Sequence, residues 1–297
     1  MKEKGKSGKG RVTSERNLSR GQNSIRQSGR EDNRTNEKIS PFTTPQSALI
    51  YGVLPVLESL RAGRRRIEKI MIADGARLPR LNDILDLARQ KNIPFQKISR
   101  SDFLRYVEAD ANHQGVIALV AAADYAGAEN LLNEISAREN SLTVILDGVE
   151  DPRNLGAILR TVDCAGADGV FIPERRAAGL TEIVAKTSAG ATEYVKIAKV
   201  TNISRLIEEL KERGIWTIGT SMDAEMDYTD WDWTQKSALV LGGEGKGLHR
   251  LVAEKCDVLV KIPLLGKIES LNVSVAAGVI LYEAVRQRNK KAENNKC

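Results

Sequence analysis

From residue 143 to the C-terminus, the chain alternates short apolar runs with longer stretches of helical period. The runs fall at 143–147, 169–172, 194–197, 215–219, 238–241 and 258–262, and the helical stretches at 154–166, 180–189, 203–213, 248–254 and 271–287. Uninterrupted runs such as Val144-Ile145-Leu146 and Leu239-Val240-Leu241 suit strands buried on both faces. Strands alternating with helices restrict this half to an α/β fold, a mostly parallel sheet with helices on both faces. No repeat of 20–50 residues competes with that reading.

Three segments carry polar groups that a plain α/β scaffold does not need. The first follows the strand at 143–147: Asp151-Pro152 is a helix start, N-cap then first turn, and Asn154, Gly156 and Arg160 follow on the helix. Arg160 is an arginine in a largely apolar helix, so it either snorkels to solvent or contacts a ligand. The second is Gly242-Gly243-Glu244-Gly245-Lys246-Gly247-Leu248, four glycines in six residues after an apolar strand. Such a loop allows close approach of backbone to ligand, or is simply a tight turn. It is not a phosphate loop of the Walker type, because Leu248 stands where Lys-Ser/Thr is required. The third is Ser270-Leu271-Asn272-Val273-Ser274, after the loop from Ile262-Pro263. Ser270 is expected to cap a helix beginning at Leu271. Asn272 and Ser274 would then sit in its first turns, where they weaken a helix unless they are used.

Asn154-x-Gly156-x-x-x-Arg160, Gly242-x-Glu244-x-x-Gly247-Leu248, and Pro263 followed by Ser270-Leu271-Asn272-Val273-Ser274 resemble, in order and spacing, the three motifs of the SpoU (TrmH) class of SPOUT RNA 2′-O-ribose methyltransferases. The resemblance covers residues 142–288. Residues 47–122, closed by Asn112-His113-Gln114-Gly115-Val116, are similar to the small substrate-binding domain of the ribosomal-RNA guanosine members. It implies a C-terminal trefoil knot, S-adenosylmethionine as cofactor held by Gly242, Ile262 and Leu271, and active-site roles for Asn154, Arg160, Glu244, Ser270 and Asn272. It also implies a homodimer with the active site near the subunit interface. The expected substrate is a guanosine of large-subunit (23S) ribosomal RNA. Transfer RNA is the alternative target within the class, and a non-catalytic RNA-binding ribosome-assembly factor is the alternative outside it.

The small domain itself is expected to be a compact α/β unit. A helical run starts at Ser47, strands lie at 67–72, 95–98 and 116–121, and helices at 80–91 and 101–107. Arg61, Arg64, Arg65 and Arg66 cluster before its first strand and are expected to contact phosphate. Residues 123–141 are expected to be a linker holding a short helix, 128–137. Residues 1–46 carry 11 Lys and Arg against 5 Asp and Glu and almost no large apolar side chains. That composition predicts a basic, disordered tail suited to loose nucleic-acid contact or to solubility. Residues 289–297 form a second polar tail.

No run of 18 or more apolar residues suggests a membrane span. Cys164, Cys256 and Cys297 have the spacing of neither a zinc site nor a disulfide framework, so no metal and a cytoplasmic location are expected. His113 is expected to be structural or an RNA contact, and His249 a surface helix residue. The transfer of an activated methyl group to a ribose oxygen needs alignment and help with the hydroxyl proton. In the family Arg160 is the suggested base. Guanidinium groups keep their proton in proteins, so the residue chemistry favours a clamp on the neighbouring phosphate and the developing oxyanion.

Overall fold

The computed structural model describes residues 47–76, 80–107, 111–245 and 247–294. The tail expected to be disordered, 1–46, lies outside the described residues, as do Lys246 and residues 295–297.

The small domain runs β1 (Ser47–Tyr51), α1 (Val53–Ala62), β2 (Ile67–Ala73), α2 (Leu81–Gln90), β3 (Phe95–Ile98), α3 (Arg100–Phe103), β4 (Val116–Ala121). Its sheet has the order β1-β4-β2-β3, with β4 antiparallel to β1 and β2, and β3 parallel to β2. The run from Ser47, expected to open a helix, is a strand instead. Pairing from Ser47↔Ala121 to Tyr51↔Ile117 satisfies its backbone. Gly52, at φ 100°, then breaks the chain direction before α1 starts at Val53. Ser99 caps α3 through Asp102 N, but this helix ends at Phe103, short of the expected Val107.

The large domain continues with α4 (Ala128–Ala137), β5 (Leu142–Asp147), α5 (Pro152–Cys164), β6 (Gly169–Pro173), α6 (Glu182–Thr187), a 3₁₀ turn (Ala191–Glu193), β7 (Ile197–Val200), α7 (Ile203–Glu212), β8 (Trp216–Thr220), β9 (Met226–Asp227), β10 (Ser237–Gly242), α8 (Arg250–Lys255), β11 (Val258–Lys261) and α9 (Val273–Asn294). Seven strands form one parallel sheet in the order β7-β6-β5-β10-β8-β11-β9. All six residues of β5 and of β10 are buried, as central strands covered on both faces require. Leu131, Leu132 and Ile135 of α4 are buried against α7 and β7 residues of this domain. Among the described residues, no helix is long and apolar enough to cross a membrane.

α9 is tied down along its length. Ala277, Ile280, Leu281 and Ala284 enter the core beside Trp233, which is fully buried. Trp233 donates its indole N–H to Tyr228 O at 2.8 Å, and its backbone N–H goes to Gln287 Oε1 at 2.9 Å. Arg288 donates to the carbonyls of Trp233, Asn140, Ser141 and Gln235 at 2.7–3.2 Å.

The two domains meet along α6 and the 3₁₀ turn. Ala185 of α6 is buried within the small domain's core. Arg65 donates to both carboxylate oxygens of Glu193, a pair almost without solvent. Arg64 donates to Tyr194 O at 3.1 Å, and Arg61 pairs with Glu58. Glu58 also accepts the Tyr194 hydroxyl at 2.7 Å; burial and that carboxylate push the Tyr194 pKa up to about 12. Of the arginine cluster read as a phosphate contact, Arg64 and Arg65 are therefore spent on holding the domains together, and Arg61 is paired within its own helix. Arg66 is exposed, and its guanidinium has no partner among the described residues. Removing one member of a buried pair strands the other charge. Arg65→Ala is expected to lower the unfolding free energy by about 3 kcal/mol, and Arg66→Ala by no more than about 0.5 kcal/mol, as read from urea denaturation. Equal effects would contradict the different burial of the two side chains.

Candidate active site

β5 and β10 lie side by side, with Asp147 opposite Gly242 at their C-terminal ends. From β5 the sheet extends through β6 and β7 in one direction, and from β10 through β8, β11 and β9 in the other. Parallel sheets open a crevice at the carboxyl ends of the strands where the order reverses. The three polar segments seen in the sequence converge on this point.

The glycine loop is packed backbone on backbone. Gly243 N donates to Asp147 O at 2.8 Å and Gly247 N to Gly243 O at 3.1 Å. A Cβ on Gly242 would lie 2.0 Å from Gly247 C, and one on Gly243 would lie 2.1 Å from Gly148 O. No side chain fits at either position. Asp147, almost fully buried, holds the far end of the loop: its carboxylate accepts His249 N at 2.8 Å and meets His249 Nδ1 at 2.9 Å. His249 is therefore not a free surface residue. It stands at the N-cap position of α8 with its ring fixed on the end of β5. A carboxylate closing a buried apolar strand was the available signal for Asp147.

On α5, Asp151 Oδ1 accepts Arg153 N at 2.8 Å and Pro152 opens the helix, as the sequence predicts. Asn154, 9 % exposed, lies one position further inside. Its Nδ2 donates to Glu244 Oε1, and its Oδ1 accepts from Asn272 Nδ2 at 3.0 Å. Asn272, not Ser270, caps α9: its Oδ1 accepts Ser274 N at 2.8 Å and the Ser274 hydroxyl at 2.5 Å, and its carbonyl accepts from Val275 and Ala276. The helix starts at Val273, because an asparagine with a free amide end can cap and still reach Asn154. Asn154, Glu244 and Asn272 thus form one hydrogen-bonded chain across three segments.

The other expected site residues lie around this chain. Gly242 is buried, Ile262 half-buried, and Ser270 and Leu271 are exposed. Arg160 stands apart. Six residues beyond Asn154, it projects about 120° away around the helix. Its guanidinium is exposed and makes no hydrogen bond or ion pair with any described residue. On one side of it Gly156 abuts Thr187 of α6; on another, Thr161 faces Gly278 of α9. The structure thus brings together a hydrogen-bonded polar chain and a glycine loop, and leaves Arg160 outside them. Gly243→Ala must displace the backbone of Gly148, and is expected to lower stability by about 1–3 kcal/mol. A variant as stable as the parent in urea would mean that the loop packs elsewhere.

Comparison with known proteins agrees with this geometry. Residues 141–282 match the model of the SpoU rRNA methylase family, and residues 49–126 match that of the RNA 2′-O-ribose methyltransferase substrate-binding domain. A protein of Bacillus subtilis (strain 168) described as a TrmH-family tRNA/rRNA methyltransferase, YacO, is 44% identical over 84% of this chain and 99% of its own length. The SpoU methyltransferase AviRb from Streptomyces viridochromogenes, solved with AdoMet, superposes with a TM-score of 0.69 at 27% identity, covering 82% of this chain and 91% of AviRb. A solved RNA 2′-O-ribose methyltransferase superposes with a TM-score of 0.67 at 26% identity, covering 82% and 90%. The chain belongs to the SpoU (TrmH) family of RNA methyltransferases.

Proposed function

We propose that this protein transfers the methyl group of S-adenosylmethionine to a ribose 2′-hydroxyl of RNA, on a guanosine of large-subunit (23S) ribosomal RNA. The observation that carries the reading is the Glu244–Asn154–Asn272 chain at the ends of β5 and β10; Arg160 follows on the helix that carries Asn154, its guanidinium exposed.

The cofactor is placed at the glycine loop and the segment 262–271. Gly242 and Gly243 let the loop fold tightly on itself, while the Cα atoms of Gly245 and Gly247 face open space. Gly242, Ile262 and Leu271 are the residues proposed to hold it, chiefly through backbone N–H and C=O groups. The chemistry supplied there is a methyl group on a sulfonium, already activated for displacement. The protein's own task is alignment. Asn154 and Asn272 fix each other's amides and would direct a ribose hydroxyl. Glu244 holds Asn154 in orientation. Ser270, exposed beside Asn272, is proposed to contact the nucleotide. Arg160 binds the adjoining phosphate and stabilises charge developing on the 2′-oxygen, where a planar guanidinium donates two parallel hydrogen bonds.

The trefoil knot and the homodimer belong to the same proposal. The dimer is supported by an uncovered apolar face next to the site. Leu265 is 100 %, Ile268 76 %, Val275 51 % and Tyr282 52 % exposed. Val275 and Tyr282 are seven residues apart on one face of α9, and a second copy of the chain would cover them. A cytoplasmic location fits two thiols, Cys164 and Cys256, that are both unpaired.

Labelled S-adenosylmethionine incubated with unmodified ribosomal and transfer RNA, followed by digestion to nucleosides, tests the reading. Label in 2′-O-methylguanosine of large-subunit RNA is expected. Label only in transfer RNA would move the target, and no transfer to either would refute the activity. Two variants separate the roles. Arg160→Lys keeps the charge but loses the planar fork, and is expected to reduce methyl transfer on the order of 100-fold with cofactor affinity retained. Asn272→Asp keeps the cap on α9 but cannot donate to Asn154, so a similar loss is expected with the melting temperature near that of the parent. Full turnover by either variant would remove that residue from the site.

A further inference from the structure

Arg160 is not the only cation left without an acidic partner. Where the small domain meets α6, Lys186 donates to Gln114 Oε1 at 3.0 Å. The same oxygen accepts the N–H of Val53 at 3.0 Å, so the amide is fixed from both sides. Gln114 holds φ 51°, between His113 and Gly115 at φ 78°. A left-handed non-glycine residue is uncommon and needs surrounding structure to hold it. His113 packs its ring 4.8 Å from that of the buried Phe103, and its Nδ1 accepts Gly115 N–H at 3.0 Å. A ring nitrogen that accepts carries no proton, so the neutral ring carries its proton on Nε2 and keeps it available as a donor.

Arg100 opens α3, one turn before Phe103, the residue whose ring packs on His113. Burial lowers the pKa of His113, and the charges of Lys186 and Arg100 lower it further; burial also lowers that of Lys186. Among the described residues, no carboxylate pairs with Lys186, His113 or Arg100. Two cations gathered beside a hydrogen-bond donor, with no counter-charge among the described residues, repel one another, and an anion relieves that repulsion. The group also lies beside the active-site helix. A Cβ on Gly156 of α5 would be 2.7 Å from Thr187 Cβ, and Lys186 is the residue before Thr187. Arg160 follows Gly156 by one helical turn. Lys186 and Arg160 therefore stand on the two helices joined at this contact.

We propose that Lys186, Arg100 and His113 bind a backbone phosphate of the RNA substrate at the seam between the domains, a second contact outside the Asn154–Glu244–Asn272 site. The proposal rests on the RNA methyltransferase reading and adds a path to it: the strand that reaches Arg160 is held by its backbone where the small domain begins. Such a contact orients the RNA without reading sequence.

The test uses the full-length protein and compares wild type with Lys186→Gln, Lys186→Arg and Arg100→Gln. Binding of a labelled single-stranded RNA is measured across a salt series, alongside melting temperature and S-adenosylmethionine affinity. Losing one phosphate contact on a single strand should flatten the plot of log affinity against log salt by roughly 0.7. Lys186→Gln and Arg100→Gln are each expected to show that change, with RNA bound about five- to tenfold more weakly at moderate salt and cofactor affinity at its wild-type value. Lys186→Arg should keep the slope. A wild-type slope in both glutamine variants overturns the proposal. If the melting temperature falls at the same time, Lys186 is only a clamp between the domains. Inorganic phosphate should compete no better than chloride at matched ionic strength. Displacement of RNA by phosphate from wild type but not from Lys186→Gln would reassign the group to a small anion. A wild-type protein that transfers no methyl group, yet shows the slope difference, would refute the methyltransferase reading and leave the phosphate site standing.

Discussion

One carboxamide holds the site together. Asn154 donates to Glu244, 90 residues away in sequence, and accepts from Asn272, 118 residues away. An amide is the side chain that can do both at once, because it carries donors and acceptors on opposite arms. Aspartate would repel Glu244, and a hydroxyl would not span the two partners. Both bonds are part-buried: Asn154 is buried, while Glu244 and Asn272 reach it from the exposed side. The start of α9 is fixed through the same chain, since Asn272 reaches Asn154 with one arm and caps the helix with the other.

The amide can take that position because of the sheet. β10 enters between β5 and β8, so Gly242 and Asp147 end in register. Beyond that point the two chains are in backbone contact: Gly243 against Gly148, and Gly242 against Gly247 and Leu248. The Asp147–His249 contact closes the far end of the loop. The glycine loop is therefore anchored at Gly243 on one side and at His249 on the other, and Glu244 follows directly on the first anchor. Such prior ordering favours catalysis by alignment, because the ordering cost is met during folding rather than at each turnover.

Local pattern carried much of this into the sequence. The buried strands of the large domain are visible as uninterrupted apolar runs, and Asp151-Pro152 marks the start of α5. The features that escaped depend on residues distant in sequence. Ser47–Tyr51 has no period that tells strand from helix, and only its pairing with 117–121 decides the matter. Ser270 and Asn272 are equally good caps by type; the choice falls to Asn272 because Asn154 sits opposite its other arm. The arginines at 61–66 look alike in sequence, but Arg65 faces a buried glutamate 128 residues further on and Arg66 faces solvent. Charge type was legible, while its use was set by what the fold brought near.

The position of α6 couples the small domain to the helix that carries Asn154 and Arg160. Its Ala185 is buried in the small domain's core, and its Thr187 presses on Gly156 of α5, the helix that carries both Asn154 and Arg160. The Arg65–Glu193 pair fixes the turn that follows α6 to the same small domain. A shift of the small domain must therefore move α6, and α6 cannot move far without disturbing α5, because Gly156 leaves no gap to absorb the displacement. A tether between two independent bodies would let the small domain take many positions relative to the helix that carries Arg160; this packing leaves few.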